Sequence, residues 1–138
     1  MYEALRQICE ETLSVRFERH RVSSIALQAG IETMGLKLFV PIIDRLNSVV
    51  AIRTPEDAES VKIRKIMSTR FNVEVSGAFG LDILRIGQMG EQCRSHNLFK
   101  VLYALGMSCR QQGVDLDVSL GMAELERNLV IDPENLVD

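Results

Sequence analysis

The sequence predicts an α+β domain, a two-layer sandwich in which a small mixed or antiparallel sheet carries helices on one face. Two observations predict it. Segments with helical and strand-like spacing follow in the order helices, strand, strand, helix, strand, strand, helix. In addition, 138 residues with 46% apolar and 25% charged residues suit one core and leave little room for a second.

From Tyr2 to Met34 there is no proline, and apolar residues recur at Leu5, Ile8, Cys9, Leu13 and Phe17, then at Val22, Ile25, Ala26 and Ala29. This spacing predicts one long helix or two consecutive ones, ended by Gly35 in the left-handed conformation. Leu38-Phe39-Val40 reads as a short strand stopped by Pro41. The β-branched run Ser48–Arg53 is apolar on both alternating faces and predicts a central strand. Thr54-Pro55-Glu56-Asp57 has the residues of a helix start, a capping hydroxyl, proline at the first turn and two acids at the positive end of the dipole. The helix it predicts runs to about Arg70, with Ile63, Ile66 and Met67 inward.

Val73-Glu74-Val75 is strand-like, Ser76–Gly80 reads as a loop, and Ile83–Ile86 as a strand. In that strand Leu84 and Ile86 would face the helices, while Ile83, Arg85 and Gly87 point away. Ser95 is placed to cap a helix carrying Leu98, Val101, Leu102, Leu105 and Cys109, with Gly113 at its end. A short helix around Met122–Leu129 completes the chain. A sheet covered on one face only leaves the other face solvated or docked, and that open face would carry Arg85.

The net charge of -3 comes from interspersed rather than blocked charges, which argues against a nucleic-acid partner. No stretch has the roughly 18 apolar residues of a membrane helix and the N-terminus has no signal core, so a cytoplasmic protein without a membrane partner is expected. Cys9, Cys93 and Cys109 are odd in number and lack a C-x-x-C pair, which predicts reduced thiols and no zinc site. His20 and His96 have no Cys or Asp at ligand or triad spacing and read as solvated; Glu10 and Glu11 fall on different sides of their helix. No residue of the chain is assigned as catalytic or as a metal ligand.

The segment Val73–Gly90, ending Leu84-Arg85-Ile86-Gly87-Gln88-Met89-Gly90, resembles the late small-domain motif of the class V, fold-type I aminotransferases of the alanine-glyoxylate and serine-pyruvate type. The runs Arg16-Phe17-Glu18-Arg19-His20 and Ala29–Phe39 are similar to that family's interdomain and small-domain helices, in the same order. Within it, Arg85–Gly90 with Cys93-Arg94, Asn97-Leu98 and Leu120–Ala123 is similar to the (S)-ureidoglycine-glyoxylate enzymes, with the pyridoxamine-pyruvate enzymes close behind. The resemblance implies a C-terminal small domain over 1–138, with helices in 1–35, an α+β core in 36–113 and a C-terminal extension in 114–138.

By the same resemblance, Arg85 matches the family arginine that binds the substrate carboxylate, a planar anion that a guanidinium grips with two hydrogen bonds. The resemblance also implies pyridoxal phosphate as the cofactor and small amino and keto acids as substrates. The chain departs from the family in two places. Only Leu81–Leu84 separate the glycine-rich turn from Arg85, which fits either a tighter turn or a reshaped substrate pocket. Phe79 stands where pyridoxamine-specific relatives tend to carry a charge.

Such an enzyme needs a lysine to anchor the cofactor, and the family supplies it from a large domain expected upstream of this chain. Lys37, Lys62, Lys65 and Lys100 do not match that lysine and read as surface residues. The expected protein is therefore an aminotransferase small domain, inactive alone. It would be a truncated frame, a piece of a split enzyme or an expressed domain, joined by its large domain or in a homo-oligomer. The alternative is a non-catalytic dimerisation or interaction module whose open sheet face exposes residues such as Ile83.

Overall fold

The structure is a computed structural model and describes residues 2–129. It is α+β: an antiparallel sheet of three strands with helices packed on one face.

The N-terminal helical region is two helices, α1 (Tyr2–Glu11) and α2 (Leu13–Thr33), divided at Thr12. Thr12 adopts a φ of 67°, a left-handed conformation in which a β-branched residue cannot continue a helix. At the far end of α2, Gly35 has φ 111°; its N–H donates to Glu32 O and that of Leu36 to Ile31 O. These paired bonds satisfy the last carbonyls of the helix, as the position of the glycine predicts.

The strands β1 (Val49–Arg53), β2 (Ser76–Ala78) and β3 (Leu81–Gly87) lie in the order β1-β3-β2. The middle strand is therefore β3, not the Ser48–Arg53 run. The far edge of β1 is nevertheless covered, because Phe39 N–H donates to Ala51 O and Arg53 N–H to Lys37 O. The predicted strand Leu38–Val40 thus survives as a single bridge between Leu38 and Ile52. The predicted strand Val73–Val75 moves: it forms no ladder, and pairing with β3 begins at Ser76 opposite Arg85. Ser76–Gly80, read as a loop, is the first strand and the turn of a hairpin that turns on Phe79 and Gly80, with Gly80 at φ 70°.

Helix α3 (Ser60–Phe71) starts five residues later than the Thr54 signal predicts. Thr54 is held by the sheet instead: its hydroxyl donates to Asp82 Oδ1 at 3.0 Å and its N–H to Asp82 O. Gln112 serves the helix start, its Oε1 accepting from Glu59 N–H at 3.0 Å. Helix α4 (Ser95–Gln111) begins with Ser95 inside the helix rather than as its cap, and ends at Gly113 with φ 92°. Helix α5 (Val118–Leu129) starts earlier than predicted, because Asp117 caps it by accepting Leu120 N–H at 2.9 Å. Residues 130–138 of the predicted C-terminal extension lie outside the described residues.

The core sits between sheet and helices: Val50, Ile52, Leu84 and Ile86 meet Leu27, Ile31, Ile63, Met67, Leu98, Leu102, Leu105 and Leu125. Where α5 crosses α2, Gly121 lies against Gly30: a Cβ on Gly121 would stand 2.7 Å from Gly30 O and from Met34 Cβ.

Beyond β3 the chain is locked to α2 by polar contacts. Gln88, fully buried, donates from Nε2 to Ser23 O at 3.4 Å, and Ser23 Oγ donates to Cys93 O at 2.6 Å. Arg19, 8% exposed, forks onto Glu11 at 2.5 and 2.8 Å and also reaches Gly90 O at 2.9 Å and the Cys93 sulfur; Arg16 joins Glu11 at 3.0 Å. His20 is not solvated: it is half-buried, accepting Gly90 N–H on Nε2 and donating from Nδ1 to Arg16 O.

The Arg19 guanidinium holds the Glu11 carboxyl below its ordinary value of 4.5, against the opposing effect of burial. A depressed carboxyl contributes stability that is complete above its unfolded value and is lost as pH falls through the folded one. We therefore expect Glu11→Gln to destabilise the domain by about 2 kcal/mol at pH 7, since it leaves Arg19 buried without its countercharge. Urea unfolding across a pH series checks this: the gap between variant and wild type should be constant above pH 4.5 and close in acid.

Candidate functional site

The alternation of β3 settles which side chains face the open side of the sheet. Leu84 and Ile86 enter the core and Arg85 is exposed, as the strand period predicts. Ile83 departs from the expectation. It shares the side of Arg85 but is 6% exposed, so it is no open apolar patch. It forms the floor of a cleft of about 480 Å³ lined by Ser60, Val61, Arg64, Gly77, Ala78, Phe79, Leu81 and Arg85. The exposed apolar surface is at the cleft rim, where Phe79, Leu81 and Val61 stand in solvent.

Arg85 is oriented by the hairpin. Its Nε donates to Gly77 O at 2.9 Å, and Ser76 pairs across the ladder from it. Among the described residues no carboxylate lies in ion-pair distance of Arg85, so its charge is not spent on a neighbour. A guanidinium with one N–H fixed to a backbone carbonyl and its terminal nitrogens uncommitted is set up to take an anion in two hydrogen bonds. The short hairpin has a tight two-residue tip, which puts Phe79 beside the cleft.

Sequence reading missed Arg64. It comes from α3 and lies against the same hairpin: its Cζ would be 3.4 Å from a Cβ on Gly77. Its Nε is buried without a hydrogen-bond partner. Nothing in the spacing of α3 announces this, because the contact exists only once α3 packs beside β2.

The remaining chemistry-bearing groups are elsewhere. Lys37, Lys62, Lys65 and Lys100 are all exposed and none lines the cleft; Lys62 pairs with Glu59 at 2.5 Å. The residues of the cleft therefore do not meet the needs of an amine-anchored cofactor. Cys9 is exposed, while Cys93 and Cys109 are buried, and burial pushes the Cys109 thiol up to about 12, far from the reactive thiolate. Among the described residues no three His, Cys, Asp or Glu side chains cluster to hold a metal, and no helix is long and apolar enough to cross a membrane.

No protein-family model matches the chain. Individual proteins do. The (S)-ureidoglycine-glyoxylate transaminase of Bacillus subtilis is 38% identical over 106 residues, which are 75% of this chain and 26% of that protein. An alanine-glyoxylate aminotransferase of Drosophila melanogaster is 32% identical over 123 residues, 85% of this chain and 31% of the relative. The crystal structure of the ureidoglycine-glyoxylate aminotransferase from Bacillus subtilis superposes with a TM-score of 0.86 at 31% identity, over 89% of this chain and 33% of that one. The chain is a small domain of the class V aminotransferase family.

The pyridoxamine-pyruvate aminotransferase of Mesorhizobium loti shares the small-domain fold, with a TM-score of 0.87 at 25% identity over 91% of this chain and 33% of its own. The 138 residues span about a third or less of the length of these aminotransferases. Within this aminotransferase domain, the resemblance that rests on Arg85–Gly90 combines two roles. Arg85 faces the cleft, whereas Gln88 and Gly90 bind the strand end to α2.

Proposed function

We propose that residues 1–138 form the C-terminal small domain of a cytoplasmic pyridoxal-phosphate aminotransferase. The enzyme would move an amino group from ureidoglycine or a similar donor to glyoxylate or pyruvate, with Arg85 binding the substrate carboxylate. The observation that carries the reading is Arg85 itself: exposed on the open sheet face, tethered to Gly77 O, and without a carboxylate partner among the described residues. Bidentate recognition by arginine fixes both position and tilt of a carboxylate, which is what an amino acid needs before its α-carbon can be worked on.

The cofactor supplies the electron sink for that chemistry, and in this reading it is held by residues outside these 138, since no lysine here lines the cleft. The chain alone is accordingly expected to be inactive. Incubation with pyridoxal phosphate, borohydride reduction and peptide mapping tests this: scattered or no labelling is expected. A stoichiometric adduct at one lysine would overturn the assignment of the cofactor to another part of the enzyme.

A second reading, a dimerisation or interaction module derived from an aminotransferase, is favoured by one observation. None of the α1 residues is buried, and Tyr2, Leu5, Leu13, Val15 and Phe17 expose apolar surface along α1 and the start of α2. Sedimentation of the chain alone distinguishes a stable dimer from a monomer that leaves this surface for its large domain.

A further inference from the structure

We propose that Arg64 is a second anion-binding residue of the Arg85 cleft, and that the amino donor of the complete enzyme is a dicarboxylic amino acid. The inference rests on the reading of Arg85 as the carboxylate-binding residue and names the substrate class that reading leaves open.

Two guanidinium groups approach the same residue, Gly77, from different elements. Arg85, on β3, donates to its carbonyl at 2.9 Å. Arg64, on α3, lies with Cζ, Nη1 and Nε at 3.4, 3.6 and 3.7 Å from where a Cβ of Gly77 would be. These are ordinary packing distances, so the guanidinium lies flat against the backbone at Gly77. Both arginines line the cleft, its other polar side chain is Ser60, and no acidic residue is among the lining.

Like charges in one cleft repel unless an anion separates them, and here the protein supplies none among the described residues. Arg64 Nε is also buried without a partner, a donor whose desolvation is uncompensated. Negative charge beside each guanidinium offsets that repulsion. A single carboxylate gripped by Arg85 leaves Arg64 as it is, whereas a ligand with a second carboxylate a few carbons away satisfies each guanidinium in turn. The apolar floor at Ile83 suits the methylene chain between the two groups.

The test is an amide chemical-shift titration of the 138-residue chain with succinate and with acetate at fixed ionic strength, repeated for Arg64→Gln, Arg64→Lys and Arg85→Gln. Succinate is expected to bind about fivefold more tightly than acetate to the wild-type chain, the scale of one added charge contact in a wet site. Arg64→Gln should weaken succinate more than acetate and so remove that preference, Arg64→Lys should keep part of it, and Arg85→Gln should weaken both ligands. Amide spectra of the same samples report whether each variant is folded. Equal succinate affinity in wild type and a folded Arg64→Gln or Arg64→Lys variant would overturn the role of Arg64 while leaving that of Arg85 intact. Acetate and succinate shifts that persist unchanged in Arg85→Gln, or no shifts with either ligand, would overturn both.

Discussion

Arg85→Gln should lower kcat/KM for glyoxylate by about a hundredfold or more when residues 1–138 replace the matching part of the Bacillus subtilis relative. Two charge-assisted hydrogen bonds to a carboxylate contribute about 1.5–3 kcal/mol each, so losing both costs roughly 3–6 kcal/mol of binding in the transition state. Arg85→Lys keeps the charge but not the fork and should fall between the two. Stability should move by less than about 0.5 kcal/mol, because the side chain is exposed and its one hydrogen bond here is to Gly77 O. Steady-state kinetics with a thermal melt on each variant separates a lost contact from a lost fold.

The second large effect is structural. Gly121→Ala puts a methyl 2.7 Å from both Gly30 O and Met34 Cβ, closer than atoms of these kinds pack, and neither neighbour can swing away. Alanine is worth about 1 kcal/mol more than glycine in a helix interior, but the overpacking at this crossing should exceed it and leave a net loss of about 2 kcal/mol. For a domain of this size that is a fall in Tm of roughly 6–10 °C. Leu120→Ala, one residue away and 45% exposed, should change little. A Gly121→Ala protein as stable as wild type would mean that α5 does not cross α2 at this glycine.

Much of this architecture could be read along the chain, and the failures have a common cause. The helices α2 and α4, the strands β1 and β3 and the stops at Gly35 and Gly113 are written locally, in apolar period and in residues that tolerate positive φ. Strand β2 is not: Ser76-Gly77-Ala78 has little β propensity and is extended because β3 pairs with it. Thr54 has every local mark of a helix cap, yet Asp82, 28 residues on, takes its hydroxyl. In both cases a contact with β3 overrides the preference of the segment itself.

The site divides in the same way. That Arg85 faces away from the core follows from strand alternation, and its proposed role from a resemblance carried by the residues after it. The burial of Ile83 and the approach of Arg64 to Gly77 depend on where α3 and the hairpin tip settle, which no single segment encodes. Likewise the fork of Arg19 onto Glu11 spans the break at Thr12, and continuous helical spacing gives no sign of that break.

The most direct measurement is amino-group transfer to glyoxylate and pyruvate by the unmutated chimera, this chain joined to the large domain of the Bacillus subtilis relative. The account predicts a folded, cofactor-loaded enzyme that transfers the amino group and depends on Arg85. A chimera that folds and loads its cofactor yet transfers no amino group, or transfers it equally well without Arg85, would contradict it.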